Sequence, residues 1–176
     1  MTRHIAFLRG INVGGHKIVS MVDLGRAFEA LGFGAVKTHI QSGNVVFETP
    51  RAGRTALVKQ IGGALHDLVG SEVAVFLRTT AELEALVARD PFKGANAEAE
   101  DRLYVTFLPA PPRRVPALPH WSASKDVEII EVRDADVFSI GHNRNGRYGF
   151  PNTVVEKLFD VPATTRNWKT IVKVLA

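Results

Sequence analysis

The chain has 176 residues, 45% of them apolar and 23% charged, with no cysteine and a formal charge of +4. That apolar fraction excludes a disordered chain, no apolar run approaches the ~18 residues of a membrane-spanning helix, and the lack of cysteine removes disulfides, thiol nucleophiles and thiolate-bound zinc together. Charge is unevenly spread: residues 81–101 hold six carboxylates against Arg89 and Lys93, residues 1–22 hold Arg3, Arg9 and Lys17 with no acid, and residues 142–176 hold six basic side chains against Glu156 and Asp160. Basic ends around an acidic middle suit an anionic partner or, equally, ordinary solubility.

Met1-Thr2-Arg3-His4 leads straight into a strand-like segment, residues 4–9, with no apolar signal region, so a soluble, cytoplasmic protein is expected. Ser20 then precedes Met21, Leu24, Phe28 and Leu31 at helical spacing, and Gly32 stops the helix. Residues 35–41 and 44–48 are β-rich runs separated by Ser42-Gly43, the composition of a tight hairpin. Leu57, Ile61, Leu65 and Leu68 mark a second helix ending near Gly70, and residues 73–78 read as another strand. The order βαββαβ is that of the ferredoxin-like split unit.

Beyond it, Thr80 caps a short helix containing Leu83, Leu86 and Val87, residues 91–101 are a polar linker, and residues 103–108 a strand. Five prolines between residues 109 and 119 predict a loop or at most a broken helix. Residues 127–132 and 136–141 read as a strand pair and residues 142–149 as a loop, and helices are expected over 152–159 and 166–175, the latter capped by Thr164 or Thr165. The expected fold is α+β: a ferredoxin-like subdomain over residues 1–80, then a second, diverged α/β subdomain over 81–176 that ends in two helices and is a candidate copy of the first.

In a split βαβ unit the first two strands run parallel and the next two oppose them. Loop 10–19, hairpin 41–44, turn 70–72 and the start of the first helix therefore share one end of the sheet. Arg9, Asn12, Gly14, Gly15, His16, Lys17, Gln41, Ser42 and Asn44 converge there. Gly14 and Gly15 can adopt positive φ and turn backbone N–H groups inward, the helix after Ser20 adds unsatisfied N–H groups and positive dipole, and Arg9 and Lys17 add charge. Asn12, Gln41 and Asn44 can orient a ligand. The alternative is a plain glycine turn, with Asn44 bonded to its own hairpin. GINVGGHK, residues 10–17, is not a nucleotide phosphate loop, because His16 separates glycine from lysine and Ile18 stands where a magnesium-binding Ser or Thr is required.

The strings AFLRGINVGG (residues 6–15), IQSGNVVF (40–47) and TTRNW (164–168) resemble, in order and over nearly the whole chain, the signatures of a bacterial family known as domain of unknown function 1697. The resemblance implies two α/β subdomains, the first ferredoxin-like, and implies no activity. Two of the strings fall on the converging loops, and the third places Arg166 and Trp168 at the start of the last helix. His16-Lys17-Ile18 departs from the longer polar stretch, such as His-Asn-Lys, that the resemblance leads one to expect.

Other chemistries are weaker. Ser42 is the best nucleophile candidate, with His16 or His39 as base, but it lacks the preceding glycine and the strand-to-helix turn of a nucleophile elbow. His4, His16, His39, His66, His120 and His142 show no i, i+4 pair, so no metal is expected, and no cofactor is assigned. Nucleic acid has two candidate surfaces: a sheet face carrying Phe7 and Phe47, and the last two helices arranged as a helix-turn-helix. In the last helix Trp168, Ile171, Val172 and Leu175 form an apolar stripe, with Arg166, Asn167, Lys169, Thr170 and Lys173 outside it. Trp168 is then a core anchor, and Arg166 either lines a ligand cleft or clamps the architecture. The leading expectation is a binding protein for a phosphate-bearing or otherwise anionic ligand, small molecule or nucleic acid, at the 9–17 and 41–44 end. The runner-up is an enzyme on such a ligand using Arg9, Lys17, Ser42 or Asn44. The third is a protein-interaction module using residues 81–101 or 109–119. No membrane partner is expected, and the sequence sets no oligomeric state.

Overall fold

A computed structural model of the chain describes residues 1–39, 43–50 and 53–176. The fold is α+β, and the chain divides into two compact units, Met1–Glu84 and Ala85–Ala176. None of the described helices is long and apolar enough to cross a membrane.

The first unit runs β1 (Thr2–Leu8), α1 (Met21–Ala30), β2 (Gly34–His39), β3 (Asn44–Thr49), α2 (Arg54–Val69), β4 (Val75–Thr79) and the start of α3 (Thr80–Arg89). Its sheet has the order β2-β3-β1-β4, with β1 antiparallel to both β3 and β4, as a split βαβ unit requires. Helix α1 begins where Ser20 Oγ accepts the N–H of Asp23 at 3.0 Å, and it buries Leu24 and Phe28. Helix α2 buries Leu57, Ile61 and Leu65 one turn apart, then stops at Gly70, whose φ of 75° only glycine adopts at no cost. Leu68 is 38% exposed, and Val69 takes the core-facing place expected of it. Thr79 and not Thr80 caps α3: Thr79 Oγ1 accepts from Glu82 N, and the Glu82 carboxylate accepts from Thr79 N at 2.7 Å, a capping box.

Strand register decides what each face of the first sheet does. Phe47 lies opposite His4, and Phe7 opposite Asn44. Positions 4 and 7 differ in parity, so the two rings point to opposite faces. Phe47 stacks on Phe33 and meets Phe28 edge-on in the helix-side core, whereas Phe7 is fully buried on the other face with Ile5 and Val46. The expectation of a nucleic-acid platform built from Phe7 and Phe47 is therefore wrong.

The second unit continues with β5 (Arg102–Phe107), β6 (His120–Trp121), β7 (Val127–Arg133), β8 (Asp136–Gly141), β9 (Asn143–Arg144), β10 (Arg147–Tyr148), α4 (Asn152–Phe159), β11 (Thr164–Asn167) and α5 (Trp168–Leu175). Its main sheet is antiparallel, in the order β11-β5-β8-β7-β6; apart from the edge strand β6, the strands β5, β7, β8 and β11 are ordered and paired as β1, β2, β3 and β4 are, so the second unit repeats the strand topology of the first. The segment expected to be a loop after β8 holds the β9–β10 hairpin. Asn145 and Gly146 at its turn both have positive φ, the combination that an Asn-Gly two-residue hairpin favours.

The last helix starts later than its sequence suggests. Thr164, Thr165 and Arg166 pair with Phe107, Thr106 and Val105 of β5, and Asn167 is the cap, its side chain accepting from Lys169 N. A strand thus separates α4 from α5, which removes the helix-turn-helix. The apolar stripe of α5 is also shifted: Ile171 and Val174 are buried, while Val172 is 45% exposed. Trp168 sits edge-on to Phe92 and Phe138 with centroids 5.3 and 6.1 Å apart, the packing of a core anchor.

Candidate functional site

Three segments meet at the end of the first sheet where β1 finishes. Leu8 N donates to Gly43 O at 2.9 Å and Arg9 N to Ala74 O at 3.0 Å, which fixes the turn before β3 and the approach to β4 on either side of the outgoing β1 strand. Lys17 Nζ reaches the Glu72 carbonyl at 2.6 Å, from a position 55 residues away in sequence. Gly43 sits close to the strand: with φ at 82°, a Cβ there would stand 3.0 Å from Leu8 Cβ and 3.3 Å from Ile11 Cβ.

The loop from Arg9 to α1 has a definite internal order. Gly10, Asn12, Gly14, Gly15 and Lys17 all have positive φ, and His16 N donates to Val13 O to close a tight turn. Asn12 clasps its base: Nδ2 donates to Val19 O at 3.0 Å, Oδ1 accepts from Val19 N at 2.9 Å, and Asn12 N donates to Lys17 O. This paired amide contact mimics a backbone ladder across the loop's neck. Arg9, Gly14, Gly15 and His16 are exposed and Lys17 half-buried.

Two expected ligand-orienting groups have other work. Asn12 spends its amide on Val19, and Asn44, fully buried, donates Nδ2 to His39 O at 3.0 Å within its own hairpin. The start of α1 is occupied as well. Ser20 caps it, and the Asp23 carboxylate in its first turn accepts from the Ser20 hydroxyl at 2.8 Å, placing a negative charge where the helix dipole is positive. That carboxylate opposes the approach of an outside anion to this end. Gln41 and Ser42 lie outside the described residues.

A hollow of about 560 Å³ lies beside the loop, lined by Asn12, Gly15, Ile18, Val19, Ser20, Met21 and Val22, with neither Arg9 nor Lys17 in its wall. Ile18 and Val22 are 75% and 62% exposed, and Val13 near them 60%. The described geometry is a cationic, glycine-hinged loop with an apolar margin, and not a hollow whose own walls are charged.

Arg166 belongs to the second unit. It is buried on β11, where Nη1 donates to Thr164 Oγ1 at 2.9 Å and to Thr165 O at 3.0 Å, and burial pushes its guanidinium down to about 10. The same unit holds a polar cluster that no motif announced. His142 places Nδ1 3.0 Å from Asp101 Oδ2 and Nε2 2.8 Å from Glu128 Oε2, with the ring stacked on Trp121 at 4.9 Å. All three polar side chains are nearly buried. Burial works to raise the Asp101 carboxyl but is outweighed by the backbone N–H groups of Glu98 and Asn143 and by His142, so its pKa lies below the usual carboxylate range. Both nitrogens being taken, the cluster is an internal tie joining β7 to the residues that enter β5 and leave β8. Among the described residues no group of three or more His, Cys, Asp or Glu is arranged to hold a metal ion.

Comparison with known proteins bears on fold and family. A conserved bacterial protein, SP0830 from Streptococcus pneumoniae, has a similar structure, with a TM-score of 0.63, 22% identity, and coverage of 99% of this chain and 97% of that one. That likeness concerns the fold. No curated protein matches the chain. The family described as "Protein of unknown function (DUF1697)" matches residues 1–138, and with most of its length so covered the chain belongs to that family.

Proposed function

We propose that the protein binds a phosphate-bearing anion at the exposed loop that leaves β1, through Arg9, His16, Lys17 and the backbone N–H groups around Gly14 and Gly15. The observation that carries this reading is the loop itself: residues 1–22 contain no acid, while residues at positive φ shape the turn and Asn12 closes the loop at its neck. Consecutive N–H groups in such a conformation form a concave donor surface suited to phosphate oxygens. Lys17 keeps two N–H donors beyond the one given to Glu72 O. A pre-shaped loop also loses little entropy on binding. Asn12 and Asn44 support the loop and its neighbouring turn, and the start of α1 plays no part.

The test is an NMR titration of the isotopically labelled protein with inorganic phosphate, a nucleoside triphosphate and a short single-stranded oligonucleotide, each at two salt concentrations. The expected result is saturable shifts at residues 9–17 that weaken with salt and are lost in the double variant Arg9→Ala, Lys17→Ala. For the oligonucleotide, each lost phosphate contact lowers the log–log salt slope by about 0.7. Absence of shifts with all three probes at low salt overturns the reading.

A further inference from the structure

The second unit carries a separate groove of about 470 Å³ between residues 108–114 and the end of α4. We propose that it docks a partner peptide in which an apolar anchor side chain is flanked by carboxylates. Leu158, Phe159 and Val161 supply the apolar side, each only half-buried. Pro109, Pro111 and Pro112 supply a facing backbone with fixed φ, so this side need not be ordered when the peptide arrives.

Charge selects the occupant. Arg113 and Arg114 border the groove, both are exposed, and among the described residues neither has a salt-bridge partner. Residues 109–119 contain no acid at all. Two adjacent guanidiniums beside an apolar slot complement an apolar side chain with acidic neighbours and repel a basic sequence. Length points to a peptide and not a small carboxylate, because the same proline-rich segment carries two further exposed apolar side chains, Val115 and Leu118, 47% and 37% exposed. A second copy of this chain does not fit. Its acidic stretch, residues 81–101, offers Phe92 as anchor, but that ring is buried against Phe138 and Trp168.

The experiment uses the full chain and a fluorescein-labelled synthetic peptide with a phenylalanine between glutamates, read by anisotropy. Saturable binding is expected, weakened about tenfold by Arg113→Glu with Arg114→Glu, and weakened again when the peptide phenylalanine becomes alanine. The doubly substituted protein is expected to prefer a peptide with lysines in place of the glutamates, a gain that damage to the fold could not produce. Equal binding by both proteins, no saturable binding, or equally tight binding of phenylacetate alone overturns the proposal.

Discussion

Replacing Gly43 with alanine tests whether the turn before β3 is seated on the end of β1. Two costs add. At φ 82° an alanine is in the left-handed region, which disfavours an L side chain by about 1–2 kcal/mol. Its Cβ would also stand 3.0 Å from Leu8 Cβ and 3.3 Å from Ile11 Cβ. Leu8 and Ile11 are buried, and Cβ atoms so near the backbone cannot swing aside as a side-chain tip does. Overpacking of this kind costs about 1–3 kcal/mol. The smaller entropy of the unfolded alanine chain returns about 0.4–1 kcal/mol. The net loss is roughly 2–4 kcal/mol, which for a chain of this size lowers Tm by about 5–15 °C. Gly10→Ala is the matched control: its φ is 72°, yet no atom lies within 4 Å of the added Cβ, so only the backbone cost of about 1 kcal/mol applies. Thermal unfolding followed by circular dichroism measures both. Equal losses at the two positions would refute the close approach of the turn to β1.

Three other substitutions probe separate features. His142→Gln is expected to cost about 3–5 kcal/mol by urea denaturation, since it strips two nearly buried carboxylates of their shared partner; a loss below about 1 kcal/mol would mean that water replaces the ring. His4 is buried against Phe47, neither ring nitrogen has a partner among the described residues, and burial, then Arg54, holds its pKa below the ordinary value. The unfolded chain then takes up a proton, near pH ~6.5, before the folded one does. Stability is thus full above that pH and declines as pH falls through it toward the folded value. His4→Phe should flatten this slope between pH 7 and 5, and an unchanged slope would exonerate His4. Asn12→Ala removes both bonds to Val19, so hydrogen exchange at residues 13–18 should accelerate while global stability falls by only about 1–2 kcal/mol; unaltered exchange would show that other contacts hold the loop.

The first unit was legible because its signals are local and repeated. Ser20 starts α1, Gly32 and Gly70 follow the ends of two helices, and Leu57, Ile61 and Leu65 recur every turn, so chain order alone fixed the sheet ends. The second unit hides its edges. β11 has four residues and runs directly into α5, so its two threonines look like caps when they are strand residues. The Asn145-Gly146 turn is a hairpin signal, but its flanking strands have two residues each, too short to show alternation. At the candidate site, chain path was legible and side-chain employment was not. Whether Asn12 faces a ligand or its own backbone depends on φ angles such as 55° at Asn12 and 49° at Lys17, which spacing does not express. Asp101 and Glu128 lie 41 and 14 residues from His142, beyond the reach of any periodic pattern.

The Asn12 clasp has an evolutionary corollary. Because the amide grips Val19 and the strand end is secured by Leu8 and Arg9, the residues between them hang as an exchangeable cassette, with Val13, Gly14, Gly15, His16 and Ile18 facing outward. Substitutions at those outward-facing positions can change the chemistry of the loop's tip without being transmitted to the sheet, so descendants of one scaffold can differ there while sharing an unaltered framework.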